Sequence, residues 1–119
     1  MLTVIAGSRG IIDYTVLCTA VQESGFTIVR VLSGGARGVD RLGERWAAEH
    51  GLPWLVMPAD WDRNGRAAGL IRNCEMAQIA GQAIVLWDGH SRGTAHMIEQ
   101  MRQLNKPVHV KIVNLHLSL

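Results

Sequence analysis

Apolar residues in this chain gather in short runs, separated by segments whose apolar positions recur every three to four residues. Residues 2–6, "LTVIA", form the first run and end at Gly7-Ser8-Arg9-Gly10. Asp13 stands where it can cap a helix whose Tyr14, Leu17, Cys18 and Val21 share one face, and Gly25 stops that helix. The β-branched stretch "FTIVRVL", 26–32, predicts a second strand. After Ser33-Gly34-Gly35-Ala36-Arg37-Gly38, helical spacing relates Val39, Leu42, Gly43, Trp46, Ala47 and His50 as far as Gly51-Leu52-Pro53. Three further runs predict strands: "WLVM" (54–57, stopped by Pro58), "AIVLW" (83–87) and "VHVKIV" (108–113). Between them, Ala67, Leu70, Ile71, Cys74 and Ala77 mark a helix ending at Gly81. Residues 94–104 mark another, with Ile98, Met101 and Leu104 inward, closed by Asn105-Lys106-Pro107.

Strand and helix therefore alternate, with connections too long for hairpins and right for crossover helices. That pattern predicts an α/β fold: one doubly wound Rossmann-like domain over 1–119, with a mainly parallel five-stranded sheet and helices on both faces. The tail "NLHLSL" alternates, with Leu115, Leu117 and Leu119 on one side. Over 113–119 it is expected to extend the last strand; the alternative is pairing with a second chain in a homo-oligomer.

The composition bounds the function more than it names it. The 119 residues are 48% hydrophobic and 18% charged, as in an ordinary globular core. No apolar run approaches the roughly 18–20 residues that cross a bilayer. The start lacks the basic flank and cleavage site of a signal peptide, so it is read as a buried strand and no membrane partner is expected. Cys18 and Cys74 stand alone, which suits a cytoplasmic protein, and the five histidines have no metal-ligand spacing. No metal is expected. A net charge of +2 is small for a nucleic-acid coat. Ten arginines against two lysines are more informative, because a guanidinium grips phosphate or carboxylate with a planar fork.

A parallel sheet ends all its strands at one edge, where ligands bind near the switch in strand order. The segments that follow the predicted strands are 7–10, 33–38, 58–65 and 88–94. They carry Gly7, Ser8, Arg9, Ser33, Gly34, Gly35, Ala36, Arg37, Asp60, Trp61, Asp88, Ser91, Arg92, Gly93 and Thr94. Glycine turns opening helices leave backbone N–H groups free where the helix dipole favours an anion. Two such turns with arginines suggest more than one phosphate, or a phosphate and a sugar. Arg9, Arg37 and Arg92 are the expected phosphate ligands, assisted by Ser8, Ser33 and Thr94. Asp40 can meet a ribose hydroxyl or orient Arg37. Asp60 and Trp61 can fix sugar and base, while Arg72 and Asn73 project toward one side of their helix. Trp46 and Trp54 are read as packing. No Ser/His/Asp order or acidic pair marks a catalytic centre.

These residues bring out a resemblance. "GSRG" (7–10), "LSGGARGVDRLGERWA" (32–47), "PADW" (58–61), "GRAAGLIRN" (65–73) and "RGTAHMI" (92–98) together resemble the SLOG superfamily. Within it they resemble the small stand-alone YspA-like, YpsA-related branch, related to DNA-processing protein A and the "lonely guy" phosphoribohydrolases. The resemblance implies a nucleotide or nucleotide-derived ligand at these loops, in sensors or processors sometimes tied to phage and bacterial conflict. The phosphoribohydrolases use a PGGxGTxxE glutamate and an upstream arginine. Arg72 resembles that arginine, but the glutamate's place is Met97, and Glu99 falls elsewhere on the helix. Methionine cannot support a developing oxocarbenium, so Asp40 and Asp60 join Arg72 as the catalytic candidates. The expectation is a sensor or sequestering protein for a nucleotide or ADP-ribose-like ligand, with no separate cofactor. A hydrolase of an N-glycosidic or phosphoester bond is the alternative, and single-stranded DNA binding is a third, disfavoured reading.

Overall fold

The computed structural model of the protein describes residues 1–115. Its sheet consists of β1 (Leu2–Gly7), β2 (Val31–Ser33), β3 (Trp54–Val56), β4 (Ala80–Trp87) and β5 (Val108–Ile112). All neighbours are parallel, in the order β3-β2-β1-β4-β5. The chain winds outward from β1 to β3, then crosses back to lay β4 on the other side of β1. The reversal therefore lies between β1 and β4. The expected doubly wound α/β fold is present.

Period-two alternation in the central strands feeds two cores. Val4 and Ala6 of β1, with Ala83 and Val85 of β4, face α4 (Ala68–Ile79) and α5 (Arg92–Gln103) through Met76, Ala77, Met97, Ile98 and Met101. Ile5, Ile84 and Leu86 face α1 (Tyr14–Ser24) and α2 (Val39–Glu49) through Leu17, Ala20, Val39, Leu42 and Trp46. A single turn of helix, α3 (Trp61–Asn64), and a 3-10 turn, Gly65–Ala67, lead into α4. Asp13 caps α1 by accepting the Thr15 N–H at 2.9 Å, and Gly25 ends the helix with φ +68°.

Several boundaries differ from the sequence expectation, each for a physical reason. The second strand spans only Val31–Ser33. Phe26 and Ile28 of the β-branched stretch pack against the α1–α2 core instead of joining a ladder. The fourth strand starts at Ala80, so Gly81 is a strand residue and not a helix stop. Gln82, whose polarity hid that start, is buried with its amide donating to Thr3 Oγ1 at 2.9 Å and Thr27 O at 3.1 Å. In α4 the inward face carries Asn73, Met76 and Ala77, while Leu70 and Ile71 are exposed. Trp54 is 45% exposed, because β3 is an edge strand. His50 caps the end of α2 and stacks on buried Trp46, with ring centroids 4.1 Å apart. α5 begins at Arg92, before the expected 94. β5 ends at Ile112, so 113–115 do not extend it, and the alternation of Leu117 and Leu119 lies outside the described residues. No helix among the described residues is long and apolar enough to cross a membrane.

Gly43 shows how tightly α2 lies on the sheet. A Cβ there would stand 2.7 Å from Ile5 Cγ2 and 2.8 Å from Ile5 Cβ. Gly43→Ala gains about 1 kcal/mol of helix propensity but overpacks a rigid β-branched neighbour, at about 1–3 kcal/mol. Urea unfolding is expected to show net destabilisation; a more stable variant would mean the helix can lift.

Candidate functional site

The cleft is built around the reversal in strand order. At the end of β1, a Cβ on Gly7 would overlap Leu86 O and come within 2.7 Å of Val39 Cγ2, so only glycine lets β1 lie this close. The Ser8 N–H donates to Leu86 O at 3.1 Å, and the Ser8 hydroxyl oxygen accepts the Asp88 N–H at 3.1 Å. That hydroxyl also lies 3.1 Å from Ser91 Oγ, which in turn donates to Thr94 Oγ1 at 2.6 Å. With Ser91 donating to Thr94, Ser8 must donate to Ser91. Thr94 is left with a hydroxyl proton to give.

The β4–α5 loop is held by its own polar groups. Asp88 Oδ1 accepts the N–H groups of His90 and Ser91, both at 2.8 Å. The backbone bonds from Ser91 and His90 keep the Asp88 carboxyl below the usual carboxylate range. The Trp87 indole N–H donates to Ser91 O at 3.0 Å, and Asn73 Nδ2 to Gly93 O at 3.1 Å. Ser91 precedes α5 but makes no cap bond with its side chain. The N–H groups of Arg92, Gly93 and Thr94 have no acceptor among the described residues.

Across the cleft, the β2–α2 loop leaves little room. Ser33 is fully buried, donating to Glu44 Oε2 at 2.6 Å and accepting the Gly35 N–H at 3.1 Å. The Ala36 N–H donates to Asp40 Oδ2 at 3.1 Å. Arg72 Nη1 donates to Gly34 O at 2.7 Å, and its Nε to Asn73 Oδ1 at 3.2 Å. A Cβ on Gly34 would stand 2.5 Å from Arg72 Nη1 and 2.8 Å from Asp40 Oδ2, so a side chain there would displace the Arg72 guanidinium and the Asp40 carboxyl. Burial pushes the Asp40 carboxyl up to about 6, against the pull of the Ala36 N–H and the Arg72 guanidinium. Burial also lowers Arg72 from the ordinary arginine value, partly offset by Asp40.

Between these walls is an open cleft of about 450 Å³ at the carboxyl ends of β1 and β4. It brings together Gly7, Ser8, Arg9, Ala36, Asp40, Trp61, Arg72, Asn73, Asp88, Ser91, Gly93 and Thr94. The other predicted residues do not line it. Ser33, Gly34 and Gly35 support the adjoining loop, Asp60 caps α3 through the Arg63 N–H at 3.1 Å, and Arg37 and Arg92 are exposed beside lining residues. Gly10 lines the cleft with the rest of the predicted 7–10 segment, whereas sequence reasoning did not place Ala6, Gly69, Leu70 or Met76 here. Helical spacing could have found Met76, four residues after Arg72 and on its side of α4. Met97 is a lining residue as well and is almost wholly buried. Trp61 is 52% exposed, and its ring edge would lie 3.6 Å from a Cβ on Gly69. Arg9, Arg37, Arg63, Arg66 and Arg92 make no ion pair among the described residues, whereas Arg41 and Arg45 are paired along α2.

Comparison with known proteins matches residues 1–64 to the family described as YAcAr: YspA, cpYpsA-related SLOG family. The chain is also similar to the Gene 61 protein of Mycobacterium phage D29. The two are 34% identical over 116 residues, covering 87% of this chain and 90% of the phage protein. No solved structure gives a significant match.

The raised Asp40 carboxyl has a consequence for stability. Its proton is held more tightly in the folded chain than in the unfolded one. This contribution is therefore complete below pH 4 and lost as pH rises through about 6. Asp40→Asn is expected to match the natural chain in stability at pH 4 and to exceed it by about 3 kcal/mol at pH 7. Urea unfolding across that range measures the difference; parallel pH profiles would mean Asp40 is ordinarily acidic.

Proposed function

This chain belongs to the YspA, cpYpsA-related SLOG family, and from that premise we propose that it binds a phosphate-bearing nucleotide or ADP-ribose-like molecule in the cleft. It acts there as a sensor or sequestering protein. The observation that carries this reading is the uncapped start of α5, where three backbone N–H groups and the Thr94 hydroxyl proton lack acceptors among the described residues. Such a helix start stabilises an anion through both hydrogen bonds and the helix dipole. Arg9 lines the same cleft, makes no ion pair among the described residues and closes over the charge. Arg37 and Arg92 supply further positive charge at the rim. Arg72 acts mainly by fixing Gly34 and Asn73. The indole of Trp61 is available to stack on a base. A volume near 450 Å³ suits a ligand of nucleotide size. Similarity to a phage protein supports a role in phage or bacterial conflict, and the cytoplasm is the compartment that suits such a ligand.

One observation favours hydrolysis as a second reading: Asp40, beside Arg72 in the cleft wall, holds a proton that titrates near neutrality. The two readings separate in one experiment. Native mass spectrometry of freshly purified protein, followed by extraction, is expected to recover an intact stoichiometric nucleotide. Accumulating base or sugar phosphate would establish turnover instead. Arg9→Gln is expected to weaken binding of the recovered compound about 10- to 100-fold by calorimetry. Failure to bind nucleotides, or an affinity indifferent to Arg9, would reject this reading of the cleft.

A further inference from the structure

The outer edge of β5 is open among the described residues. Ala83 N–H donates to Pro107 O at 3.0 Å and Val113 N–H to Trp87 O at 2.8 Å. Backbone direction alternates along a strand, so the N–H and C=O groups of Val108, Val110 and Ile112 point away from β4. Natural edges are commonly protected by lysine or proline. Here Lys111 is drawn to the α1 side by Glu23, at 2.9 Å, and the strand itself contains no proline. Beside this edge runs an apolar groove of about 660 Å³, lined by Trp87, Ile98, Val110 and Ile112 and bordered by Glu99 and Arg102 of α5. Ile112 is 60% exposed. Arg102 has no ion-pair partner among the described residues, and Glu99 accepts only from Gln103, at 3.1 Å.

We propose that a second copy of this chain occupies that edge, with the two β5 strands antiparallel about a two-fold axis near Val110. The two sheets then become one. Val110 faces its own counterpart, and Val108 faces the partner's Ile112 on the groove side, giving apolar cross-strand pairs. The same two-fold runs the α5 helices antiparallel along that side. Glu99 is thereby set opposite the partner's Arg102, and Arg102 opposite the partner's Glu99. This charge complementarity distinguishes a second copy from an unrelated apolar partner. The other edge, β3, is also exposed, but it is only three residues long and lies between Pro53 and Pro58. Pairing at β5 covers Trp87, whose indole holds the Ser91 carbonyl, so the interface reaches the cleft loop directly.

Sedimentation equilibrium of the full chain tests this. The chain is expected to dimerise, Ile112→Lys to be monomeric, and Leu55→Lys on β3 to dimerise like the natural chain. Glu99→Arg and Arg102→Glu are each expected to weaken association at least tenfold, because each sets like charges face to face. Mixing these two variants in equal amounts should restore a dimer, since both contacts then pair opposite charges; the rescue also shows that both variants fold. A monomer at all concentrations, dissociation by Leu55→Lys in place of Ile112→Lys, or no rescue on mixing would overturn the proposal.

Discussion

The approach of β1 to β4 is the constraint on which the rest of the molecule depends. These strands are non-adjacent in sequence and central in the sheet, and Gly7 lets them close down until the Ser8 N–H reaches Leu86 O. Both cores are sewn to this pair, since alternate residues of β1 and β4 face opposite helical layers. The same pair marks the point where the winding reverses, so the loops leaving it diverge and leave a gap. A side chain at position 7 would therefore strain the sheet, both cores and the cleft together.

Around that gap, most polar groups are already committed to one another. Ser33 is bonded to Glu44, Asp88 to its own loop, Asn73 to Gly93 and Arg72, and Asp60 to the start of α3. These bonds hold the walls of the cleft in place through the chain's own groups. What remains uncommitted among the described residues is a small set: the N–H groups opening α5, the Thr94 proton and Arg9, beside the Asp40 carboxyl, which accepts the Ala36 N–H and holds a proton up to about pH 6. Those groups are donors or cations apart from Asp40, and they border one volume.

The architecture was legible because apolar runs, glycine stops and the Asp13 cap obey local rules, and alternation of strand and helix fixes parallel pairing. The loops that line the cleft were legible for the same reason, since topology alone delivers the ends of β1 and β4 to one rim. Roles within those loops were not. Ser33 and Gly34 stand in the most ligand-like stretch of the sequence, yet Ser33 faces Glu44 and Gly34 is pinned under Arg72. Whether a hydroxyl points at a ligand or at its own helix depends on loop dihedrals that residue types do not specify. Leu70 and Ile71 misled for a related reason: α4 carries apolar residues on two faces, and periodicity does not say which face meets the sheet. Arg37 and Arg92, fitted to phosphate by type, are exposed one residue from lining positions, a placement that residue type does not specify.

The placement of the acids bears on whether the cleft binds or cleaves. Met97 sits on the α5 side, directly among the groups that would hold an anion. Asp40 comes from the opposite wall, on α2, and burial already favours its protonated form up to about pH 6. An anion settling in the cleft adds negative charge nearby and raises that proton's affinity further. Asp40 therefore divides between carboxylate and neutral acid around a midpoint of about 6, which a nearby anion raises and the Arg72 and Arg9 guanidinium groups oppose. A neutral acid can donate a hydrogen bond to a sugar or phosphate oxygen, but it offers no negative charge to a developing oxocarbenium. The chemistry open to this wall of the cleft turns on that proton: the neutral form can give a proton or a hydrogen bond, and only the carboxylate can steady a developing positive charge.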